Sequence, residues 1–501
     1  MSEAKLESLE SILNAPPVIK LGGVNVEFNS RAVLRNVSLE VAHGEFVAVI
    51  GPSGGGKSTL LRVIAGLLKA RGTVQVQGQP AVVFQDYRLL PWRTVRQNVA
   101  LPKELTGKGL APNDVLKQVG MLEYANLYPH QLSGGMRARI AIARALAQDA
   151  EVVLFDEPFA ALDALVRERF NLETKKIHRK TGKTIVFVTH SIREAVYLAD
   201  RVVVLKDGVI DTILETRGQG RITSFTEPLE AELRSRLGLG DSTFVEPTPK
   251  AVRFPWEMLG ILIVVNALLI TWNLLVPEST LFFPSPGKVW RALLENSTQF
   301  LTGALETLRI TGTGLLYSLG IGIPLGYGMG KLRVLERLLS PFVVALQAIP
   351  IVVITPLLVL GLGYGTSSRV LIATLISLFP VMISTMVGVR EVDRVYTEVF
   401  KTIGSSALGM LTKLEFPGAL PVILGGLRST ASLALIGTVV AEFTLGASEK
   451  ANGLGFIVLS AKNQSRYDIS FAAVFVLVLI GIGLYGIVSL LEQIALRYRR
   501  R

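Results

Sequence analysis

The sequence contains no cysteine, so neither disulfide bonds nor thiolate metal ligands can hold this fold together. It also lacks a long apolar run before about residue 256, and acidic residues in segment 1–21 argue against a secretory signal peptide. We therefore expect the chain to begin in the cytoplasm. No basic helix interleaved with aromatic residues accompanies the net charge of +12, so nucleic-acid binding is not expected.

The two halves of the chain differ in composition. A length of 501 residues exceeds what one hydrophobic core usually supports. Up to about residue 250 charged and apolar residues are mixed, whereas from Trp256 onward long apolar runs appear with charges confined to the gaps. An excess of Lys and Arg is typical of a membrane protein that retains basic residues on its cytoplasmic loops. The sequence therefore predicts a soluble part followed by a membrane part.

A glycine-rich loop lies between a predicted strand (45–50) and a predicted helix (60–65). The loop comprises Gly51, Pro52, Ser53, Gly54, Gly55, Gly56, Lys57, Ser58 and Thr59. The order strand, loop, helix is that of a phosphate-binding loop, in which backbone N–H groups and the helix N-terminus surround phosphates. Lys57 would reach the β- and γ-phosphates, and Ser58 would ligate magnesium. The alternative, a plain glycine-rich turn, does not account for the flanking elements.

A second apolar strand is predicted at 152–155, and it ends in Asp156 and Glu157. After a phosphate loop, acids at a strand end are expected to bind magnesium and to polarise the attacking water. Asp156 would hold the metal and Glu157 would act as the base. Two acids after a strand are weak evidence on their own. Their order and distance after the phosphate loop support this assignment.

Between these motifs lies Leu132-Ser133-Gly134-Gly135-Met136, and here the sequence resembles the ATP-binding-cassette family, whose signature is Leu-Ser-Gly-Gly-Gln. Met136 replaces the usual Gln. The resemblance covers roughly residues 18–240 and implies an α/β P-loop ATPase that uses ATP and Mg²⁺. It also implies that Ser133 and Gly135 contact the γ-phosphate.

Other positions match the family one by one. Gln85 resembles the Q-loop glutamine, which implies a catalytic role and a further magnesium ligand, and His190 resembles the catalytic switch histidine. Phe28 would stack on adenine, although a strand phenylalanine is more often part of a core. The nucleotide-binding residues implied are Phe28, Gly51, Ser53, Gly54, Gly56, Lys57, Ser58, Thr59, Ser133, Gly135 and, in the D-loop, Asp163.

The family places each ATP between the phosphate loop of one subunit and the signature of another. Since the chain carries one set of motifs, the resemblance implies a homodimer of two half-transporters or a partner with a second cassette. We predict four regions: an N-terminal tail (1–17), the cassette (18–240), a proline-containing linker (241–255) and a transmembrane permease domain (256–501).

The permease domain is predicted to be all-α and polytopic, since each apolar segment approaches the ~20 residues that a bilayer requires. Six such segments lie near 257–276, 303–330, 342–363, 368–389, 422–443 and 470–493. An even number of spans, together with the basic residues of the proposed inner loops, places both termini in the cytoplasm of a prokaryote, at its inner membrane. Glu306 and Arg309 could pair on one helix face, and Arg428 and Glu442 lie near segment ends. For these ionisable residues a structural role is favoured over substrate contact.

The loop between the fourth and fifth segments contains Glu398, Gly404 and Pro417 at spacings that resemble the permease motif of importers, Glu-Ala-Ala, then Gly, then Ile-x-Leu-Pro. Val399 and Phe400 replace the alanines. The resemblance implies a coupling helix that docks near the Q-loop and transmits motion. An ordinary amphipathic cytoplasmic loop is the alternative.

Further patterns resemble permeases of the nitrate, sulfonate, taurine and bicarbonate group, which implies import of a small, anionic solute delivered by an extracytoplasmic solute-binding protein. The patterns are Phe283-Pro284-Ser285-Pro286-Gly287, Ala348-Ile349-Pro350 and Gly453-Leu454-Gly455. The alternative is an exporter half-transporter with its cassette first, a class that lacks the coupling motif. A soluble cassette ATPase that acts on DNA or ribosomes would not need six apolar segments.

Overall fold

The computed structural model describes residues 17–28, 31–160, 164–216, 271–272, 283–444 and 452–496. They form two units: the first takes its residues from 1–244 and 393–414, and the second from 245–392 and 415–497. The predicted linker (241–255) and Asp163 lie outside the described residues, as does the first predicted span (257–276) apart from 271–272. The predicted region boundaries stay a prediction.

The first unit contains a six-stranded sheet in the order β5-β6-β7-β3-β8-β9 and a three-stranded antiparallel sheet in the order β2-β1-β4. The strands are β1 (Ile19–Phe28), β2 (Arg31–Val41), β3 (Phe46–Ile50), β4 (Arg71–Val76), β5 (Ala81–Val83), β6 (Val152–Asp156), β7 (Thr184–Val188), β8 (Arg201–Lys206) and β9 (Val209–Glu215). Strands β5, β6, β7, β3 and β8 run parallel, and β9 is antiparallel. β3 and β7 are buried along their whole length, as expected for apolar strands covered on both faces.

Helices pack against the six-stranded sheet through one hydrophobic core that includes Phe46, Phe155, Phe159 and Phe187. The helices of this part are α1 (Lys57–Ile64), α2 (Val95–Thr106), α3 (Pro112–Gln118), α4 (Gly134–Ala147), α5 (Ala164–Thr181) and α6 (Ile192–Leu198). α4 begins where the Ser133 hydroxyl accepts a hydrogen bond from the Met136 amide, an N-cap that satisfies an otherwise unpaired donor.

The helices that follow belong mainly to the second unit. They are α7 (Pro286–Glu295), α8 (Ser297–Lys331), α9 (Arg333–Ala348), α10 (Ile351–Leu362), α11 (Thr366–Glu391), α12 (Arg394–Ile403), α13 (Ala407–Met410), α14 (Phe416–Thr444), α15 (Leu454–Asn463) and α16 (Tyr467–Ala495). Of these, α12 and α13 belong to the first unit by their contacts. A π-helical turn, Leu411–Glu415, joins α13 to α14.

Three described helical stretches are long and apolar enough to cross a membrane. They are α11 (Thr366–Glu391), the stretch Ala407–Thr444, which comprises α13, the π-helical turn and α14, and α16 (Tyr467–Ala495). The predicted span 342–363 is not one straight helix: α9 and α10 pass the same test together, and they meet at a bend of 100°. Pro350 explains the break, since proline has no N–H and disfavours helical backbone at the residue before it. The predicted span 303–330 is helical throughout within α8, but α8 is too polar to pass the same test.

Small residues let α8 and α11 approach closely. A Cβ at Gly314 would lie 2.7 Å from the Cβ of Ala373, and one at Gly326 would collide with the carbonyl oxygen of Met382. Close approach of helices at glycine is a common packing mode within membranes. Because Gly314 meets Ala373 and Gly326 meets Met382, the two helices run side by side in the same direction.

A buried asparagine organises the loop that leads from β5 to α2. Asn98 is fully buried, and its side chain accepts a hydrogen bond from the Leu90 amide at 2.8 Å. Its amide group donates to the carbonyl oxygens of Leu90, Arg93 and Thr94 at 3.0–3.1 Å. These four bonds pair backbone groups that a loop of this depth would otherwise bury without partners.

We expect Asn98→Ala to loosen this loop, because it leaves the Leu90 amide buried without an acceptor. The loss should be about 2 kcal/mol, which raises the exchange rate of the Leu90 amide on the order of 30-fold. Hydrogen–deuterium exchange of the full-length protein measures this rate. Gln118→Ala, at an exposed helix end, is the control; an unchanged rate in Asn98→Ala would contradict the assigned role.

Candidate nucleotide-binding site

The parallel sheet brings the predicted site residues to one edge. β3 pairs with β7, β7 with β6, and β6 with β5, all in parallel, so their carboxyl ends lie side by side. The glycine-rich loop follows β3, and His190 follows β7. Asp156 ends β6 with Glu157 next in the chain, and Gln85 lies just after β5. Ligands bind at such an edge in open α/β sheets.

The loop has the backbone conformation that the glycines were predicted to supply. Gly54 and Gly56 adopt left-handed φ values of +81° and +97°, which other residues adopt only with strain. A Cβ at Gly51 would collide with the carbonyl oxygen of Leu205. The loop is therefore closed against β8 and needs glycine at these positions.

Lys57 is held inside this loop. Its buried ammonium group donates hydrogen bonds to the carbonyl oxygens of Gly51 at 2.9 Å and Pro52 at 3.0 Å. Burial lowers the pKa of Lys57, although the nearby carboxylates of Glu157 and Asp156 act in the opposite direction. Phosphate oxygens can replace the two carbonyl oxygens as acceptors, and a partly desolvated ammonium group interacts more strongly with an anion than an exposed one does.

Ser58 and Asp156 form the pair expected for a magnesium site. The Ser58 hydroxyl donates to Asp156 at 2.9 Å. Burial raises the pKa of Asp156, while the hydrogen bond from Ser58 lowers it. A hydroxyl and a carboxylate are hard oxygen ligands that suit Mg²⁺, which takes its other ligands from phosphates and water. These residues fit the ion, which would neutralise phosphate charge when bound.

Glu157 faces His190. Their side chains approach to 3.2 Å between Oε2 and Nδ1. This hydrogen bond lowers the pKa of Glu157 and raises the pKa of His190. Glu157 also has a left-handed φ of +45°, and its amide donates to the Val188 carbonyl at 3.0 Å. The carboxylate is therefore ionised and held at the sheet edge, as a general base must be.

The remaining predicted residues are placed in different surroundings. Ser53 is exposed in the loop, Thr59 lies in the first turn of α1, and Phe28 is exposed at the end of β1. Gln85 is exposed at the sheet edge. Ser133 and Gly135 lie at the start of α4, where Ser133 caps its own helix. The exposed ring of Phe28 is not part of the core, which leaves it free to stack on a base.

Two arginines near Gln85 were not predicted as functional. Tyr87 and Arg88 both have left-handed φ values, 60° and 47°, which cost of order 1–3 kcal/mol each. The fully buried Arg144 holds them there by donating to the Tyr87 carbonyl at 2.8 Å and the Arg88 carbonyl at 2.6 Å. The sequence does show one feature that could have indicated this role: Arg144 is a charged residue on a helix face whose other residues are small and apolar.

This loop contacts α12 within the first unit. Arg88 donates hydrogen bonds to the side chain of Glu398 and, at 3.3 Å, to the Val395 carbonyl. Its guanidinium also lies 3.7 Å from the centre of the Phe84 ring, a cation–π contact. Trp92 packs edge-on against Tyr396 with ring centres 5.8 Å apart. Glu398 is thus joined to the loop that starts at Gln85.

Two further side chains of the first unit donate hydrogen bonds to backbone carbonyl groups of α12. Gln79 donates to the Lys401 carbonyl at 2.8 Å, and Gln148 donates to the Thr402 carbonyl at 3.0 Å. Gly404 ends α12 in a left-handed conformation, with φ of 81°, and a Cβ there would lie 2.6 Å from the side-chain oxygen of Gln79. Pro417 lies in the first turn of α14, in the second unit.

Comparison with known proteins finds a family match in each half of the chain. Residues 34–160 match the family described as "ABC transporter", and residues 319–495 match "Binding-protein-dependent transport system inner membrane component". An aliphatic sulfonates import ATP-binding protein of Frankia alni is 42% identical over 233 residues, which are 46% of this chain and 95% of the relative. Its counterpart in Cupriavidus necator is 45% identical over 256 residues, 47% of this chain and 84% of the relative.

Among solved structures, a dimeric ATP-binding cassette in a post-hydrolysis state with ADP and Pi is 34% identical. The match covers 40% of this chain and 99% of that one, with a TM-score of 0.37.

We expect Glu157→Gln to retain ATP binding but to lower the hydrolysis rate at least about 100-fold, since an amide cannot accept a proton from water. Equilibrium binding of labelled ATP and steady-state phosphate release measure the two properties. Glu123→Gln, on an exposed turn, makes the same chemical change away from the site and should keep the wild-type rate. A wild-type rate in Glu157→Gln would remove Glu157 as the base.

Proposed function

Because the chain belongs to the ATP-binding-cassette transporter family, we propose that two copies form one importer for a small organic anion. The chain is an ATPase that drives transport, and its permease domain makes it an integral membrane protein. In the proposal it lies in the inner membrane of a prokaryote with the cassette and both termini in the cytoplasm, and it receives its solute from an extracytoplasmic solute-binding protein.

The packing of α12 on the cassette carries the proposal of import. A segment that is flanked in sequence by helices of the second unit makes its contacts with the first unit. Glu398 and Gly404, the positions of the importer motif, both lie at this contact. The match of 319–495 to a binding-protein-dependent permease family supports the same direction of transport, and the sulfonate importers among the relatives support an anionic solute.

The geometry also supports a route for coupling. Gln85 lies at the edge where ATP and magnesium would bind, and Arg88 is three residues further along the same loop. The strained backbone at 87–88 and the buried Arg144 make this stretch stiff. A displacement at Gln85 would therefore reach Glu398 through Arg88 rather than be absorbed in between. Coupling of this kind needs a contiguous physical contact, which these residues provide.

The proposed dimer completes the ATP site. One chain supplies the phosphate loop, Ser58, Gln85 and Asp156 for the nucleotide and Mg²⁺. The other supplies Ser133 and Gly135, and Asp163 would lie at the same junction. The first turn of α4, where Ser133 and Gly135 lie, is a helix N-terminus and therefore suits an anion.

We expect the full-length protein in liposomes to accumulate labelled 1-pentanesulfonate only when ATP lies on one side of the membrane and a binding protein for this sulfonate lies on the other. The particle should contain two chains, measured by native mass spectrometry. Omission of the binding protein is the control. Movement of solute away from the ATP side without a binding protein would identify an exporter, and a monomer with full activity would exclude the shared site.

We expect Gly404→Arg to hydrolyse ATP without uptake, because a side chain at this left-handed position would push Gln79 out of contact with α12. ATP hydrolysis and solute uptake are measured in the same liposomes. Gly107→Arg is a matched control, since Gly107 has a similar φ of 73° but no atom of the described residues lies within 4 Å of a Cβ added there. It should retain uptake per ATP hydrolysed. Normal uptake in Gly404→Arg would show that this contact does not transmit motion.

A further inference from the structure

A cleft of about 580 Å³ lies between α8 and α11 in the second unit. Ligand pockets for small molecules have volumes of roughly 300–1,000 Å³, so the cleft is large enough for a small solute. One part of its lining is polar and is formed by Arg309, Thr313, Thr366 and Ser367. Another part is apolar and includes Ile321, Val370 and Leu371.

The direction of the two helices fixes which lining residues lie level with one another. α8 and α11 run in the same direction, with Gly314 beside Ala373 and Gly322 beside Val381. Arg309 therefore lies level with the first turn of α11, where Thr366 and Ser367 are found. Ile321 and Leu371 lie further along both helices. The lining charge of Arg309 therefore lies at one end of the cleft, and the other end is mainly apolar but also contains Tyr317 and Thr374.

Positive charge is concentrated at the polar end. Arg309 donates two hydrogen bonds to Glu306, at 2.9 and 3.0 Å. Arg369 also approaches Glu306, at 3.6 Å, and donates to the Thr366 hydroxyl at 3.4 Å. Two guanidinium groups thus share one carboxylate. The other nearby acid, Glu442, is engaged by the Thr307 hydroxyl and by the Gly455 amide.

Arg369 is incompletely paired. Its side chain is only 7% exposed, and its Nη1 atom, which faces Glu306 at 3.6 Å, has no partner within hydrogen-bond distance among the described residues. A buried charge without full pairing is costly, and ionisable residues inside a membrane domain usually serve transport. The N-terminus of α11 adds further positive potential, since Gly365 gives it no side-chain cap.

We propose that this cleft binds the transported solute and that the solute is an organic anion with a short alkyl chain. Its charged oxygens lie against Arg309, Thr366 and Ser367, and its alkyl chain lies against Ile321, Val370 and Leu371. The inference rests on the proposed import of a small anion and adds the residues and the shape of the solute. A guanidinium with hydroxyl groups and a helix N-terminus suits a sulfonate group, and the apolar wall accounts for a carbon chain.

The test uses the full-length dimer in nanodiscs without binding protein, with empty nanodiscs as the correction for partition into lipid. Calorimetry gives dissociation constants for 1-pentanesulfonate, methanesulfonate and 1-pentanol. Pentanesulfonate should bind on the order of 100-fold more tightly than methanesulfonate, because four further methylene groups are buried. Pentanol should bind more weakly than pentanesulfonate, since it has no charge.

Two variants separate the two ends of the cleft. Arg309→Met should weaken pentanesulfonate binding at least about tenfold through loss of a charge-assisted hydrogen bond. Lys462→Met removes the same charge from an exposed position of α15 and should leave binding unchanged. Val370→Trp fills the apolar end, so the preference for pentanesulfonate over methanesulfonate should fall below about tenfold. A variant that merely misfolds in part binds less of both ligands but keeps the ratio of their dissociation constants.

The possible outcomes distinguish a failure of the proposed site from a failure of the proposed import. If pentanesulfonate does not saturate the wild-type protein, or if Arg309→Met and Val370→Trp keep wild-type constants, the cleft is not the solute site, even where liposomes take up the solute. If the binding pattern is as expected but no ATP-driven uptake occurs, the site stands and import is wrong. Failure of both binding and uptake overturns both proposals.

Discussion

Parallel pairing of β5, β6, β7 and β3 is the constraint on which the rest of the first unit depends. Each of these strands ends at the same edge, and each is followed by a residue predicted for the ATP site. β6 and β7 are neighbours about 5 Å apart, so Glu157 can reach His190 directly, and Ser58, in the first turn of α1 after β3, reaches Asp156 across β7. Antiparallel pairing of any one of them would place its functional residue at the opposite edge.

A second constraint is the strained backbone beside this edge. Glu157, Tyr87 and Arg88 all have left-handed φ values although none is glycine. Such strain persists only where surrounding contacts over-determine it. The Val188 carbonyl holds Glu157, and Arg144 holds 87–88. The burial that makes Arg144 able to do this also lowers its own pKa to about 10, so the group remains charged at neutral pH and both hydrogen bonds are charge-assisted.

The residues predicted for the ATP site lie in short local patterns, each at the end of an apolar strand, and their roles stay a prediction. The loop, Asp156 and Glu157 follow from strand order and spacing, and His190 follows from the family resemblance. Asn98, Arg144 and Arg88 could not, since their roles arise from contacts with residues 8, 56 and 310 positions away. A spacing motif did identify Glu398, but nothing in it named Arg88 as its partner. A sequence pattern does not show which polar groups pair with each other over such distances along the chain.

The membrane half differs, because there polar residues and glycines interrupt the apolar pattern of a predicted span. α8 has 35 residues, which is ample for a bilayer, and its sequence reads as an apolar segment near 303–330, yet it is not among the three described helices that are apolar enough to pass as spans. Four of its glycines, Gly314, Gly322, Gly326 and Gly330, lie against α11. Small residues that allow this close contact also lower the mean hydropathy of the helix. Hydropathy alone therefore does not report how a helix is packed: α16 is the most apolar of the three spans and the least buried, whereas α11 is the next most apolar and the most buried.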